Sequence, residues 1–275
     1  MIPPTSIDGT DITGATIDGT DVQEITVDGD VVFTAREFPV AFSNLVAWWP
    51  FDSSFYGGAN TDDATGGDGS SGDSTSYDTV QDGTVTFQSS GGAKDINTGD
   101  ASGYAEFDSQ DGLDAGTTEL SDFGDNNEPF SYCAWAKFDN LFDDDYKPIM
   151  GDTIGHCLLF HQRSGLNRGA GWEVKTDGTL NSFESGSNLS NNEWFHLVGT
   201  FDGSSNFTLY IDGNDKTTFT ETRTGQSLGD FYIGNYGQSS YDAAPNIDDV
   251  RVYDKELSSS EVSQIFSNTK PSSKP

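Results

Sequence analysis

One polar loop of the sequence contains the residue types that bind sugars. Residues 235–246 read NYGQSSYDAAPN and lie between two short hydrophobic runs. A protein usually holds a sugar with an exposed aromatic ring beside amide and carboxylate groups. A tyrosine in a loop is also often merely exposed to solvent, and this alternative stays open. The candidate ligand-binding residues are Asn235, Tyr236, Gln238 and Tyr241, with Tyr56 in an earlier long loop.

The histidines and cysteines give little support for metal-dependent or nucleophilic catalysis. His156 and His161 flank an apolar run that offers no further ligand at metal-binding spacing, so the sequence indicates neither a zinc site nor a catalytic triad. Cys133 and Cys157 are too few for a disulfide scaffold. They either pair across neighbouring strands or are two buried thiols.

The charge balance excludes one class of partner and favours an unusual environment. The chain has 45 acidic and 13 basic residues, a formal net charge of −32 at pH 7. A nucleic-acid-binding protein needs a basic surface, which is absent here. Such a charge repels itself in dilute salt, but at molar salt the Debye length falls to about 3 Å. The sequence therefore favours a halophilic source, either a haloarchaeon or its virus; an ordinary acidic secreted protein with calcium sites is the alternative.

The composition is typical of a turn-rich β protein. Aromatic residues make up 12% of the chain, which also has 32 glycines. Large aromatic side chains can fill a core when aliphatic ones are scarce, and glycines suit tight turns. The 275 residues allow one large all-β domain and a small extra module. Neither a signal peptide nor a membrane-spanning helix is expected from the pattern of apolar residues.

The clearest local pattern covers residues 192–213, NEWFHLVGTFDGSSNFTLYIDG. Two runs of alternating hydrophobic residues flank Asp202-Gly203-Ser204-Ser205, which is a turn sequence. This pattern predicts an antiparallel hairpin with one face buried.

The hairpin and four other stretches, in this order along the chain, resemble the laminin G-like domains of the concanavalin A-like jelly-roll family. The other four are LVAWWPFD at 45–52, YAEFDSQDGLD at 104–114, FSYCAWAKF at 130–138 and IDDVRVYDKELSSSEVSQIF at 247–266. The resemblance implies an all-β, two-sheet antiparallel jelly-roll sandwich. Domains of this kind bind glycans or proteins, often beside a structural calcium ion.

The family also contains glucanases, which use two carboxylates on either side of the scissile bond. The nearest match to their Glu-x-Asp-x-x-Glu strand runs from Glu106 to Asp111, where Asp111 replaces the last glutamate. Laminin G-like domains have a structural Phe-Asp pair at this place, so we expect no enzymatic activity. The resemblance likewise implies that His196 is structural.

Calcium is the ion that the resemblance implies, because in related domains it joins the regions of the first and last strands. Asp52, after the opening strand, and Asp248, before the last one, are the candidate metal ligands. Calcium prefers carboxylate and carbonyl oxygens. With so many acidic residues, any two of them can imitate such a site, and this alternative stays open.

Further strands are predicted where hydrophobic runs lie between turn residues. Ser258 and Glu261 form a Ser-x-x-Glu box that predicts the start of a helix. Residues 52–82 lack the order of an EF-hand and predict a long solvated loop. Besides the hairpin, the predicted strands cover 45–51, 84–87, 104–107, 130–138, 157–161, 171–175, 231–234 and 249–253.

The first residues form a different kind of segment. IDGTD begins at Ile7 and at Ile17, and VDGD follows at Val27, a ten-residue period of β-branched residues before Asp-Gly turns. Such short units cannot bury a core alone and should dock on a partner. The stretch DVQEITVDGDVVFTA is similar to N-terminal segments of structural proteins of tailed viruses. We therefore predict an attachment segment over 1–36, a linker over 37–43, a laminin G-like domain over 44–267 and a disordered tail over 268–275.

The sequence as a whole favours a non-enzymatic structural protein on the surface of a virion of a halophilic tailed virus. The N-terminal segment would bind other virion proteins, and the jelly-roll domain would adhere to a glycan or glycoprotein of the host surface. The symmetry of virions implies a homo-oligomer, a trimer or a pentamer. The alternatives are a secreted carbohydrate-binding module of a haloarchaeon and, less favoured, a glycoside hydrolase.

Overall fold

In the computed structural model the chain divides into two compact units, Met1–Pro39 and Val40–Pro275. No helix among the described residues is long and apolar enough to cross a membrane. The structure describes residues 6–7, 10–11, 16–17, 20–21, 24–27, 30–34, 40–51, 56–57, 60–61, 79–94, 102–108, 111–116, 128–141, 146–152, 156–161, 169–176, 179–184, 189–221, 230–234 and 244–274.

The described residues of the first unit form three antiparallel hairpins. In each of them a two-residue Asp-Gly connection joins the strands, because Ile7 pairs with Thr10, Ile17 with Thr20, and Val27 with Asp30. The ten-residue repeat predicted from the sequence agrees with the pairing of the described strands, while the Asp-Gly residues themselves lie outside the described residues. The strands are β1 (Ser6–Ile7), β2 (Thr10–Asp11), β3 (Thr16–Ile17), β4 (Thr20–Asp21), β5 (Glu24–Val27) and β6 (Asp30–Thr34).

The second unit is a sandwich of two antiparallel sheets with one α-helix among its described residues. A short 3-10 helix, Phe42–Asn44, leads into the first strand, and the α-helix α1 covers Ser259–Thr269. The strands are β7 (Leu45–Trp49), β8 (Tyr56–Gly57), β9 (Asn60–Thr61), β10 (Thr79–Asp82), β11 (Thr86–Gln88), β12 (Tyr104–Glu106), β13 (Gly112–Gly116), β14 (Phe130–Phe138), β15 (Tyr146–Asp152), β16 (His156–His161), β17 (Gly169–Thr176), β18 (Thr179–Glu184), β19 (Phe195–Phe201), β20 (Asn206–Ile211), β21 (Asp215–Thr220), β22 (Phe231–Gly234) and β23 (Pro245–Tyr253).

The described strands form a nine-stranded and an eight-stranded sheet. The order in the first is β18-β17-β16-β15-β22-β13-β10-β9-β8. The order in the second is β11-β12-β23-β14-β19-β20-β21, and β7 also pairs with β23. The expected all-β jelly-roll architecture is confirmed.

Aromatic side chains fill the space between the sheets, as the composition predicts. Trp172 of the nine-stranded sheet stacks on Tyr132 of the other sheet, with ring centroids 6.1 Å apart. Trp49 stacks in the same way on Phe231 at 6.1 Å. A methyl group at Gly199 would overlap the ring of Trp172, so this position accepts only glycine where the sheets approach each other.

The outer face of the eight-stranded sheet is partly covered by α1. Val262 and Ile265 of the helix pack on Cys133 and Val198, which point away from the space between the sheets. The sequence predicted one buried face for the hairpin of β19 and β20, but every residue of β19 is buried. The reason is that the second sheet covers one face of the hairpin and α1 covers the other.

The helix begins as its sequence predicts. The Ser258 side chain accepts a hydrogen bond from the Glu261 backbone N–H, and the Glu261 carboxylate accepts one from the Ser258 backbone N–H. These two bonds form the capping box and satisfy donors that a helix terminus otherwise leaves free.

Three sequence-based expectations need correction. Residues 52–82 were expected to form a loop, yet β8, β9 and β10 lie within this stretch. Residues 40–43 were assigned to a linker, but Val40 and Ala41 pack against the cluster beneath α1. The tail was expected to be disordered from 268, but Thr269 and Pro271 are buried.

Besides β8, β9 and β10, four further strands among the described residues were not predicted: β13, β15, β18 and β21. Two of them, β18 and β21, are terminal strands of their sheets among the described residues. Such edge strands are rich in polar residues and show weak hydrophobic alternation. The sequence left open whether Cys133 forms a disulfide or is a buried thiol. In the structure Cys133 is a buried free thiol.

Candidate functional site

A groove of about 550 Å³ opens on the outer face of the eight-stranded sheet, where α1 does not cover it. Its volume lies in the range of small-molecule sites, about 300–1,000 Å³. We call it the Glu106 groove. Its lining residues are Thr84, Thr86, Glu106, Phe107, Asp108, Lys137, Asp139, Asn192, Ala244 and Asn246.

Strand register places four polar side chains of the groove in one row. Thr86 of β11 lies opposite Glu106 of β12, and Glu106 lies opposite Asn246 of β23. Asn246 lies in turn opposite Lys137 of β14. Residues paired across strands point to the same face, and neighbouring strands are about 4.8 Å apart, so the row extends over about 14 Å. The row offers a hydroxyl, a carboxylate, an amide and an ammonium group in sequence.

The loops at the ends of these strands supply the other polar groups. Asp108 and Asp139 follow β12 and β14, and both are exposed. Asn192 adopts a positive φ of 59° and donates its backbone N–H to the Phe138 carbonyl at 2.7 Å. This bond ties the loop before β19 to the end of β14 and so fixes one end of the groove.

An aromatic pair adjoins the groove through Lys137. Tyr104 and Trp194 meet edge to face with centroids 5.5 Å apart. The Lys137 Nζ lies 5.0 Å from each ring centroid, which is a cation–π distance for both. The Trp194 indole Nε1 donates to the Gly91 carbonyl at 2.9 Å, and this bond fixes the orientation of the Trp194 ring.

The electrostatics of the groove follow from partial burial beside carboxylates. Burial lowers the pKa of Lys137, and the nearby Glu106 opposes this shift. Burial and Glu106 both raise the pKa of Tyr104. The Glu106 carboxylate also accepts a hydrogen bond from the Gln88 amide at 2.7 Å, which orients it. Among the described lining residues, three carboxylates face one ammonium group.

Most of the ligand-binding residues proposed from the sequence lie outside the described residues. Tyr56 belongs to the short strand β8. Asn246, at the end of the same polar stretch, is not in a loop but in β23, and it lines the groove. The proposed sugar-binding residues outside the described part of the chain are Asn235, Tyr236, Gln238 and Tyr241, and the proposed calcium ligand there is Asp52.

Asp248, the second proposed calcium ligand, is fully buried and bonded to protein donors. Its carboxylate accepts hydrogen bonds from the Ala93 backbone N–H at 2.5 Å, the Ser102 hydroxyl at 2.8 Å and the Asp249 backbone N–H at 2.8 Å. These bonds hold the loop that carries Gly91, the acceptor of Trp194. Within the described residues no group of three or more His, Cys, Asp or Glu could hold a metal ion. Calcium binding stays a prediction.

The structure separates the acidic residues that match the glucanase pattern. Glu106 and Asp108 both line the groove, since they flank the buried Phe107. Asp111 is not among the lining residues, and a methyl group at Gly83 would overlap its carboxylate. The reason is a turn: the Asp111 backbone N–H donates to the Asp108 carbonyl at 3.1 Å, and the chain then enters β13 of the other sheet.

His196, which the resemblance assigns a structural role, is completely buried in β19. Its ring lies 5.1 Å from Trp135 and 6.1 Å from Phe266, measured between centroids. Both ring nitrogens are buried without a hydrogen-bond partner in the described part of the chain. Burial, with Arg251 and Lys274, lowers the pKa of His196 to about 3, so the ring is neutral at pH 7.

Sequence reasoning did not find Lys137, Asn192 or Asn246 as site residues. Each lies within or beside a hydrophobic strand, and they are far apart along the chain. The one usable signal was Lys137, a charge near the end of an otherwise apolar strand. A lysine at such a place either marks a sheet edge or faces a site, and only the strand order distinguishes these.

Comparison with known proteins agrees with this architecture. The family model of the concanavalin A-like lectin/glucanases superfamily matches residues 107–263, more than half of the chain. Comparison with curated proteins finds no match. The chain is similar to domain 4 of an extracellular arabinanase from Geobacillus stearothermophilus, solved in complex with arabinotriose. The sequence identity is 20%, 81% of this chain and 98% of that chain are covered, and the TM-score is 0.52.

Two further structures share the fold over smaller parts of their own length. The receptor binding domain of botulinum neurotoxin C/D mosaic serotype is 16% identical, with 82% of this chain and 51% of that chain covered and a TM-score of 0.55. The Trypanosoma rangeli sialidase is 15% identical, with 89% of this chain and 35% of that chain covered and a TM-score of 0.54. The chain thus spans about half of the toxin fragment and about one third of the sialidase.

Proposed function

This chain belongs to the concanavalin A-like lectin/glucanases superfamily, and we propose that it is a non-catalytic glycan-binding protein whose ligand lies in the Glu106 groove. The observation that supports this most directly is the row of Thr86, Glu106, Asn246 and Lys137 across four strands. A row of mixed donors and acceptors on a rigid sheet suits a ligand with regularly spaced hydroxyl groups. The arabinanase domain of the same fold, solved with arabinotriose, is a precedent for an oligosaccharide ligand.

The chemistry of the groove matches what a sugar requires. Asn192 and Asn246 each offer both an amide donor and a carbonyl acceptor, and Thr84 and Thr86 offer hydroxyls. Tyr104 and the buried Trp194 do not line the groove, but both rings contact Lys137 and so help to hold that lysine in the row. The scaffold is held in place before a ligand arrives, because Gly91 and Asp248 fix the loop behind Trp194. Such preorganisation reduces the entropic cost of binding.

The wider role that we propose is host adhesion on the surface of a halophilic tailed virus. The N-terminal repeat of hairpins would attach the protein to other virion proteins. The compact first unit and the net charge of −32 support this role. Cryo-electron microscopy of the intact particle tests it: density for this chain at the virion surface is expected, and a chain found only as free monomer contradicts it.

A second candidate is glycoside hydrolysis, since Glu106 and Asp108 line one groove. Two carboxylates flank the scissile bond in most glycosidases. The replacement of the last glutamate by Asp111, and the turn that takes Asp111 out of the groove, favour binding without cleavage. Release of reducing ends from a bound oligosaccharide, abolished by Glu106→Gln, would establish the hydrolase instead.

The experiment for glycan binding uses Asn246→Ala and Lys137→Met in the full chain. Binding to a glycan array, followed by calorimetry with the best ligand and with arabinotriose, is measured at molar salt. Each substitution removes a hydrogen-bonding group from the row, and we expect affinity to fall about tenfold, since each bond contributes about 1 kcal/mol or more.

Glu128→Gln is the matched control, because Glu128 is exposed and outside the lining of the groove. It should leave affinity unchanged. An array without any bound glycan, or binding that is insensitive to both groove substitutions, would refute the proposed site.

A further inference from the structure

The charged groups of the Glu106 groove are unevenly distributed. Glu106, Asp108 and Asp139 present carboxylates to it, and Lys137 is the cation among its described lining residues. The lysine ammonium lies over the rings of Tyr104 and Trp194, 5.0 Å from each centroid. Its charge is thus partly compensated by the two rings and by Glu106, while the lysine still lines the groove.

The remaining polar lining is uncharged. Thr84, Thr86, Asn192 and Asn246 can donate to and accept from hydroxyl groups equally well. A ligand hydroxyl can also donate to the carboxylates, which only accept hydrogen bonds when ionised. A ligand carboxylate or sulfate cannot donate, and beside Glu106 or Asp139 it would meet a like charge at short range.

From this distribution we infer that the groove selects neutral, hydroxyl-rich oligosaccharides and rejects glycans that carry carboxylate or sulfate groups. The inference rests on the proposed glycan-binding function and names the ligand class of the same groove. It assigns the selection to Glu106 and Asp139, and not to the net charge of the chain.

Salt separates these two causes. The field of the whole chain, with its charge of −32, is screened beyond about 3 Å at molar ionic strength. Charges in direct contact with a ligand group are separated from it by about this distance or less, and salt therefore screens them less. Rejection caused by net charge therefore disappears at 2 M NaCl, whereas rejection caused by Glu106 and Asp139 persists.

The test measures calorimetric affinities of the full chain at 0.2 M and 2 M NaCl, after circular dichroism has established that the chain is folded at both. The probes are trisaccharide pairs in which a neutral sugar is matched by its uronic acid: glucose with glucuronic, galactose with galacturonic, and mannose with mannuronic acid. We expect the neutral member of the recognised pair to bind at least tenfold more tightly at both salt concentrations.

The double variant Glu106→Gln with Asp139→Asn keeps the shape of the groove and removes two charges. We expect it to reduce the difference within the recognised pair to threefold or less at 2 M NaCl. The control Glu128→Gln removes a charge outside the groove and should leave the difference unchanged.

Three results are distinguishable. An acidic trisaccharide that binds the original chain as tightly as its neutral partner at 2 M NaCl overturns the inference, while the proposed function stands. A difference that survives in the double variant also overturns it, since Glu106 and Asp139, to which the inference assigns the selection, are then not the cause. The absence of binding to all trisaccharides and to a full glycan array refutes the proposed function and the inference together.

Discussion

Two parts of one strand, β14, have opposite surroundings on the same outer face of the sheet. Cys133 and Trp135 are completely buried there, beneath α1 and the segments beside it. Lys137, two residues further along, is half-buried and lines the open groove. All three side chains point to the same face because strand residues alternate.

The difference shows that α1 and the tail decide which part of the face can bind a ligand. Trp135 donates its indole Nε1 to the Thr269 hydroxyl at 2.8 Å, at the end of the helix. Lys274 then donates to the Trp194 carbonyl at 2.7 Å and pairs with Asp212 at 2.6 Å. The covered part contributes to stability, whereas the open part leaves its polar groups available to solvent and ligand.

The largest expected effect is loss of stability when Trp135 is truncated. Trp135→Ala removes a completely buried ring that stacks on Phe266 at 5.6 Å, and it leaves the Thr269 hydroxyl without its donor. We expect the free energy of unfolding to fall by about 3–5 kcal/mol in denaturant titrations. Trp135→Phe, which keeps most of the ring, should lose less.

The matched control lies on the same strand and face. Lys137→Ala should change stability by less than about 1 kcal/mol, because its side chain is only half-buried. If Trp135→Ala and Lys137→Ala lowered the free energy of unfolding equally, the proposed difference between the covered and the open part of this face would be wrong.

A smaller effect is expected from pH, through His196 beneath the helix. Its pKa is about 3 in the folded chain and about 6.5 when unfolded, so below pH 6.5 the unfolded state binds more protons. The stability that the neutral ring contributes is complete above pH 6.5 and is lost as pH falls towards 3. Between pH 7 and pH 5 we expect a loss of about 2 kcal/mol from this residue.

The variant His196→Leu removes this titration. Chemical denaturation at pH 7 and at pH 5 should show a smaller difference in the variant than in the original chain. If the two chains lose equal stability over this interval, the buried histidine is not neutral as described.

The smallest effect concerns the start of the covering helix. Ser258→Ala removes the side chain that accepts from the Glu261 backbone N–H, and we expect a loss of about 1 kcal/mol in unfolding experiments. Ser267→Ala is the control, because Ser267 is an exposed residue within the helix whose hydroxyl donates only to the Ser263 carbonyl. A control that destabilises as much as Ser258→Ala would mean that the capping box contributes nothing.

Local patterns predicted several elements well. The strands 130–138 and 231–234 and the turn at 202–205 agree with the structure. Alternation along β7 places Trp48 and Trp49 on opposite faces: Trp49 packs between the sheets, while Trp48 donates to Asp249 at 2.7 Å on the other side. Strong alternation and turn residues act over a few residues, so the sequence alone reveals them.

The groove could not be predicted in the same way. The sequence led to the loop at 235–246 because aromatic and amide residues are adjacent there. The structure instead brings together Thr86, Glu106, Lys137 and Asn246, which come from four separate stretches. Their proximity depends on the order and register of β11, β12, β23 and β14, which are set by long-range pairing.

The amino-acid sequence by itself determined the aromatic-rich β composition, the N-terminal hairpin repeat and the helix cap, because each follows from composition, side-chain periodicity or local hydrogen bonding. The two-sheet sandwich was implied by the resemblance to laminin G-like domains. Only the tertiary structure decided that α1 covers Trp135 and leaves Lys137 open, and that Asp111 turns away from Glu106. These outcomes depend on where distant segments pack, and no local pattern contains that information.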